Sequence, residues 1–397
     1  MLIPTIFELV LLPTLCILTI YNLLFAVQAF CAVKIQQSPT RRDMPGERPT
    51  VAILIPAHDE EKGIEETLRS LLPQLSDRDH IVVVADNCTD ETGTVAAACG
   101  ADVCFRYDEV RRGKGYALDH GIRYLSGNAP QVVIVVDADC VATPGLVDVL
   151  ARETWSTGRP VQALDLMIAP PGAGLLTRIA MFAWTVKNYV RPCGFQRLGL
   201  PCQLMGTGMA FTWKLISSAS LANGELVEDM KLGMDFTERG TPPVFCPQVA
   251  VFSYFPESNK SLKSQRYRWE HGHLDVAFRS GPLRIVQAVG RKNWQLFALA
   301  LDSMVPPLTV LILATTLALL VAVPAYYLAG ATHLFVMSLA LFVLMTAALS
   351  VSWWRFGREQ LSCWDIIRGV IYVFWKIPVY IHFVVGRRVR WTRSARN

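Results

Sequence analysis

The sequence predicts an α/β domain, a parallel sheet covered by helices, set between membrane-spanning helices. Three observations predict it. From Pro49 to about Thr241, short β-branched runs alternate with helical stretches, the order that builds parallel sheets. Each early run that reads as a strand ends in acids. Long uncharged runs flank this region, and charged residues make up only 18% of the 397, against roughly 25% in soluble domains.

The elements follow in chain order. Leu2 to Cys31 carries one charge, Glu8, and is long enough to cross a bilayer. A secretory signal would want a basic start, a shorter apolar run and a small-residue cleavage site, none of which is evident. Residues 1–33 are therefore expected to be an uncleaved transmembrane helix. Lys34, Arg41 and Arg42 follow it and set its far end in the cytoplasm.

A catalytic-size domain is expected over residues 48–258. VAILIPAHDEE reads as a strand, Val51 to Ile55, that ends at Pro56 before Asp59 and Glu60. GIEETLRSLLPQL is an amphipathic helix with Ile64, Leu68, Leu71 and Leu72 on one face. HIVVVADNCTDET repeats strand and polar loop, ending in Asp86 and Asp90. Thr92 to Cys99 is a small-residue helix, Asp102 to Phe105 a strand and Gly115 to Leu125 a helix. QVVIVVDADC is a β-branched run that reads as a strand buried on both faces, closed by Asp137 and Asp139. Ligands of such sheets bind beyond the carboxyl ends of the strands, so these acids converge on one rim. Leu175 to Val190, with Arg178 and Lys187 spaced along it, reads as an amphipathic helix pressed on a membrane surface.

Residues 302–356 are expected to form a transmembrane hairpin. Met304 to Ala325 and Leu334 to Trp354 are uncharged, with Gly330 and Ala331 in the turn, and Arg355 and Arg358 follow the second run. Ahead of it, residues 259–295 read as interfacial helices. Ile366 to Gly386 is apolar but interrupted by Arg368, Lys376 and Pro378. If it spanned, Arg387, Arg388, Arg390, Arg393 and Arg396 would lie outside, against the positive-inside rule. Residues 364–397 are thus expected to be an interfacial or re-entrant helix and a basic cytoplasmic tail. The net charge of +5 then suits anionic lipids and calls for no nucleic acid. The ten cysteines form no CxxC pair and read as thiols, neither bridged nor metal-bound.

Several groups can carry chemistry. Asp137 and Asp139 can share one hard cation, Mg²⁺ or Mn²⁺, or can simply shape a turn. Arg111-Arg112-Gly113-Lys114-Gly115 can approach a diphosphate or be a solvated basic loop. It lacks Walker spacing, and no GxGxxG follows the first strand, against a nucleotide triphosphatase or a dinucleotide enzyme. Glu228-Asp229 opens a helix, as capping acids do, or provides a general base for a hydroxyl. Gly206-Thr207-Gly208 allows close backbone approach to a ligand or marks a bulged strand. KSQRYRWEHGH, Lys263 to His273, is a basic surface anchor or an active-site rim. His271 and His273 are two apart, on different helix faces, which disfavours a metal pair.

The order and spacing of Asp59, Asp86, Lys114, Asp137-Ala138-Asp139, Gly206-Thr207-Gly208, Glu228-Asp229 and Gln265-Arg266-Tyr267-Arg268-Trp269 resembles the family 2 glycosyltransferases. It looks most like their membrane-embedded branch of cellulose, chitin and hyaluronan synthases. The resemblance covers roughly Pro49 to His273, and QxxRW (Gln265, Arg268, Trp269) is its most specific piece. It implies a GT-A, Rossmann-like cytoplasmic domain with transmembrane and interfacial helices. It implies that Asp59 and Asp86 hold the uracil and ribose of a UDP-sugar and that Lys114 reaches its diphosphate. Asp139 with Asp137 would bind Mg²⁺ or Mn²⁺, and Asp229, beside Glu228, would be the base. Gly206, Thr207 and Gly208 would line the acceptor pocket. Arg268 would meet phosphate, Gln265 would belong to the same closing helix, and Trp269 would stack under the acceptor sugar.

The resulting expectation is an inverting, metal-dependent transferase in a bacterial inner or plasma membrane, its catalytic domain cytoplasmic. Its partners would be a nucleotide-sugar donor, a glycan or lipid-linked acceptor and membrane lipids, with a homo-oligomer or export partner left open. One alternative product is a β-linked polysaccharide; the other is a single sugar added to a polyprenyl-diphosphate sugar or ceramide-like lipid. A scaffold with a degenerate nucleotide-sugar domain fits the intact acid set poorly.

Overall fold

The computed structural model describes residues 2–33, 46–222, 227–255, 272, 274–366 and 368–369. Its strands are β1 (Val51–Ala57), β2 (His80–Asp86), β3 (Asp102–Arg106), β4 (Val132–Val135), β5 (Val141–Ala142), β6 (Val161–Ile168), β7 (Met209–Thr212) and β8 (Val244–Tyr254). They form one sheet in the order β3-β2-β1-β4-β7-β6-β8-β5. The first four run parallel, as expected of strands joined through helices. The rest of the sheet departs from the parallel expectation. β7 is antiparallel to both β4 and β6, β8 is parallel to β6, and β5 is antiparallel to β8. The reason is where the chain turns. After β6 the chain packs residues 182–202 on the membrane-type helices and then enters β7 antiparallel to β6, so no crossover restores the direction.

The core forms on both faces of the sheet because β1 alternates its side chains. Ile53 and Ile55 meet Ile64, Leu68 and Leu71 of the helix Ile64–Leu71, with Leu146 and Leu150 of Leu146–Thr157. Ala52 and Leu54 meet Leu118 and Ile122 of Lys114–Leu125, with Phe211 and Phe236 beyond. Each fully buried Leu, Ile or Phe of this kind contributes roughly 1.5–3 kcal/mol. The chain leaves β1 toward β2 on one side and reaches β4 on the other. The crevice for a ligand therefore opens at the carboxyl ends of β1 and β4.

Among the described residues three helices are long and apolar enough to cross a membrane: Phe7–Ala32, Leu308–Ala329 and Thr332–Gly357. The hairpin begins later than Met304, because Pro306 and Pro307 end the preceding helix, Trp294–Met304. Gly330, at φ 66°, makes the left-handed cap between its arms. Leu15, Phe25 and Ala29 of the first helix share one buried cluster with Leu334 and Ala348 of the hairpin and with Leu164 and Phe245 of the sheet. The membrane-type helices and the α/β domain are thus packed together directly.

The helix expected over Leu175 to Val190 runs on. Leu175–Thr185 passes through a π turn, Val186–Val190, into Arg191–Arg197. A π turn adds a residue to the helical repeat and so re-aims the side chains beyond it. Arg178 meets Asp365 at 2.8 Å, whereas Arg191 turns into the protein. Within the stretch expected to be interfacial, Gly281–Gly290 exposes Leu283, Val286 and Val289. On its other face Arg284 pairs with Asp235 and Glu238 of Glu228–Glu238. Gln265, Arg268, Trp269, His271 and His273 lie outside the described residues, as does most of the stretch Ile366 to Gly386. All ten cysteines are free, five of them buried.

Candidate active site

Of the acids at the strand ends, Asp86, Asp137 and Asp139 line one cleft because parallel strands end on one side, whereas Asp59 groups with Cys88 and Asp90 and does not line it. Asp59 follows β1 in a left-handed conformation, φ 53°, which Asp tolerates better than most residues. Its Oδ1 accepts from the Thr89 backbone N–H at 2.6 Å. Asp86 ends β2, 7% exposed, and its Oδ1 accepts from Arg106 at 2.5 Å. Burial raises the Asp86 pKa, and Arg106 opposes the rise. Arg106 also donates to the Arg111 carbonyl at 2.6 Å and lies 5.6 Å from the Tyr116 ring centroid. It therefore ties the end of β3 to the basic loop. The sequence reading missed Arg106; its only signal was its place at the end of a third strand on the same rim.

Lys114 opens the helix Lys114–Leu125 after Gly113, whose φ of 129° suits glycine. Its ammonium donates to Asp137 and, at 2.8 Å, to the Gly206 carbonyl. Burial disfavours the Lys114 charge, but Asp137, Glu228 and Asp229 outweigh it and hold the pKa above its ordinary value. β4 ends at Val135, so Asp137 and Asp139 sit in the loop beyond it. That loop is pinned on both sides. The Asp137 N–H donates to Thr207 Oγ1 at 3.1 Å, and Thr67 Oγ1 donates to the Ala138 carbonyl at 2.9 Å. Asp86, Lys114, Asp137 and Asp139 line one cleft of about 190 Å³, with His58 and Glu60 on its wall.

Glu228 and Asp229 begin the helix Glu228–Glu238. Asp229 Oδ1 accepts from the Met230 N–H at 2.8 Å, a bond to its own neighbour rather than a cap, since Val227 holds the N-cap position. Its other oxygen points to the rim: a Cβ on Gly206 would stand 3.3 Å from Asp229 Oδ2 and 3.4 Å from Lys114 Nζ. The capping alternative has no capping bond behind it, only the place of both acids in the helix's first turn. Burial raises the Asp229 pKa, with Lys114 opposing. Burial, then Asp229, raises that of Glu228, again against Lys114. Gly206, at φ 89°, and Gly208, at φ 63°, bracket Thr207 in backbone that glycine adopts most readily. Gln162 holds the segment to the sheet, donating to the Thr207 carbonyl and accepting from the Met205 N–H, each at 2.8 Å.

A second charged group lies behind the rim. Asp165 of β6 accepts from Asn188 Nδ2 at 2.9 Å. Burial lifts its pKa to about 8, against the pull of Lys187. Lys187 sits 5.2 Å from the Trp184 ring centroid, and burial lowers its pKa. The sequence reading put Lys187 on a membrane-facing helix; the π turn brings its charge under the influence of Asp229 and Asp165. Asp59, Cys88 and Asp90 also bring donor atoms within 4.8 Å of one another. There Asp90 shapes the turn before Thr92–Ala98 by accepting from the Thr92 N–H at 3.1 Å. The two carboxylates Asp137 and Asp139 fit Mg²⁺ or Mn²⁺ better, being hard oxygen donors on a cleft open to phosphate and water.

Two family models match the chain: glycosyl transferase family 2 over residues 52–157 and glycosyl transferase family group 2 over residues 132–371. Among curated proteins, the chain is 26% identical to the probable glycosyltransferase YdaM of Bacillus subtilis over 255 residues, 61% of this chain and 59% of that one. It is 26% identical to glucomannan 4-beta-mannosyltransferase 7 of Arabidopsis thaliana over 250 residues, 57% of this chain and 43% of that one. The chain thus spans less than two thirds of these relatives. Among solved structures it is similar to the mannosyltransferase PcManGT from Pyrobaculum calidifontis, in complex with GDP-Man and Mn²⁺. The TM-score is 0.54 at 17% identity, covering 86% of this chain and 97% of that one. The curled mixed sheet is the GT-A fold.

Proposed function

We propose, from the premise that the chain belongs to glycosyl transferase family group 2, that it moves a sugar from a nucleotide-sugar, a UDP-sugar first, to an acceptor hydroxyl at a membrane surface. One observation carries the reading. Lys114, which lines the cleft, joins Asp137 to the Gly206 carbonyl, and the charges of Glu228 and Asp229 act on the same ammonium, which supports a diphosphate site with a base beside it.

In this reading Asp59 and Asp86 take the base and ribose of the donor. Asp137 and Asp139 would hold Mg²⁺ or Mn²⁺, which when bound supplies positive charge for the departing diphosphate. Lys114 adds a fixed cation there, already oriented before the leaving group gains charge. Asp229 accepts the proton of the acceptor hydroxyl as its oxygen bonds to the anomeric carbon and the bond to phosphate breaks. Glu228, beside it, shares the acidic environment that Lys114 balances. A single displacement from the opposite face inverts the anomeric centre. Gly206, Thr207 and Gly208 line the acceptor side, and the roles of Gln265, Arg268 and Trp269, phosphate for Arg268 and a sugar face for Trp269, rest on the QxxRW resemblance alone.

The first product is a β-linked polysaccharide, in keeping with QxxRW. A second reading, one sugar added to a lipid-linked acceptor, is supported by the shared cluster of Leu164, Phe245, Phe25 and Leu334, which seats the domain on membrane-type helices. The test uses purified chain in lipid with Mg²⁺ or Mn²⁺, labelled UDP- and GDP-sugars and a membrane lipid extract. A long labelled polymer supports the first product. Label in the organic phase carrying one added sugar supports the second. No transfer and no nucleotide release with any donor would overturn both.

A further inference from the structure

Asp302 lies far from the cleft in sequence and was not singled out from it, yet three segments converge on its carboxylate. Oδ1 accepts from Gln28 Nε2 and from an Arg191 Nη2, each at 2.6 Å, and Oδ2 accepts from Gln203 Nε2 at 2.5 Å. The same Arg191 nitrogen donates to the Asp302 carbonyl at 2.7 Å, and Arg191 Nε donates to Gln28 Oε1 at 3.1 Å. All four side chains are buried, from Gln28 at 0% to Gln203 at 9% exposed. Gln28 belongs to the first membrane-type helix and Asp302 to the helix that leads into the hairpin. Arg191 opens the helix after the π turn. Gln203 stands three residues before Gly206.

Apolar packing would hold these elements together as strongly, since replacing buried ion pairs with well-packed apolar side chains is often neutral or stabilising. What directional bonds add is register. A slide of the first helix by one turn, about 5.4 Å, would break both Gln28 bonds at once. The same spot is locked by shape: a Cβ on Gly194 would fall 2.1 Å from the Gln28 carbonyl oxygen. On the other side, residues just past Gln203 carry the rim contacts, Gly206 to Lys114 at 2.8 Å and Thr207 to the Asp137 N–H at 3.1 Å. The segment is thus held by the sheet through Gln162 and Ala163, by the rim through Lys114 and Asp137, and by the membrane-type bundle through Asp302.

We propose that Asp302, through Arg191, Gln28 and Gln203, is a positioning residue that sets the acceptor-side segment Gln203–Gly208 from the membrane helices. The proposal rests on the transferase reading, in which this segment receives the acceptor. It assigns Asp302 no contact with substrate.

The test compares wild type with Gln203→Leu, full chain in lipid nanodiscs, by acceptor KM, nucleotide affinity and backbone amide exchange. The expected result is an acceptor KM raised about tenfold, the cost of one hydrogen bond to a charged group. Nucleotide affinity stays unchanged, and amide exchange speeds up in residues 204–208 but not in β1 or β2. Unchanged acceptor KM and unchanged exchange in residues 204–208 overturn it. So does a uniform loss of nucleotide binding and protection, which marks a merely structural knot. If Gln203→Leu does not fold, Gln203→Glu is compared with Gln203→Glu plus Asp302→Asn. The single change opposes two carboxylates, and the pair restores a donor facing an acceptor. Protection of residues 204–208 recovering in the pair supports the coupling; no recovery overturns it. If wild type transfers no sugar, the transferase reading fails, and exchange in residues 204–208 alone decides whether Asp302 sets this segment.

Discussion

Replacing Lys114 by methionine keeps the length of the side chain and removes its charge. In the structure that charge faces Asp137, Glu228 and Asp229 and donates to Asp137 and the Gly206 carbonyl. If the same ammonium meets a donor diphosphate, its loss removes a hydrogen bond to a charged group, about 1.5–3 kcal/mol. At about 1.4 kcal/mol per decade, nucleotide affinity should fall roughly 10- to 150-fold. A second effect follows. Lys114 opposes the upward shift of Glu228, which burial and Asp229 cause. Without it, the acids hold their proton to higher pH, and the acid limb of the transfer rate moves up. Calorimetry of UDP or GDP binding with Mn²⁺, followed by a pH–rate profile, reads both. Lys114→Arg, which keeps the charge, should restore part of the limb. Unchanged nucleotide affinity together with an unmoved acid limb would refute the reasoning, because the cation would then serve neither diphosphate nor base.

Other outcomes are open to direct measurement. Asp229→Asn should keep nucleotide binding and slow transfer by about 10²- to 10⁴-fold, the usual contribution of a general base; full activity would remove Asp229 from that role. Asp139→Asn should raise the Mn²⁺ concentration needed for half-maximal nucleotide binding, and an unchanged metal titration would count against the Asp137–Asp139 site. Burial, then Asp229, raises the Glu228 pKa to about 7, so transfer that needs the ionised pair should fall as pH drops through about 7; a limb near pH 4 would mean that burial does not raise the pair or that it is not required ionised. Gly194→Ala should destabilise the chain by about 1–3 kcal/mol through overpacking, seen in thermal unfolding, since its Cβ would fall 2.1 Å from the Gln28 carbonyl.

The sequence by itself determined whatever depends on local pattern. β-Branched runs became β1, β2 and β4, uncharged runs became helices of membrane-crossing length, and acids at strand ends shared a rim because parallel strands point one way. The first four strands are parallel because the helix between each and the next carries the chain back to the edge of the sheet where the strands begin. The tertiary structure decided the rest. The antiparallel entry of β7 follows a segment that packs on the membrane-type helices between β6 and β7, and no periodicity encodes that. The bond from Lys114 to Gly206 joins residues 92 apart. The pair of Arg106 with Asp86 needed β3 to lie beside β2. Asp302 gathers Gln28 from 274 residues away and Gln203 from 99. In sequence each is one polar residue in an apolar helix or loop. Only packing of the membrane-type helices against the sheet buries them together, and burial is what obliges each to find the others.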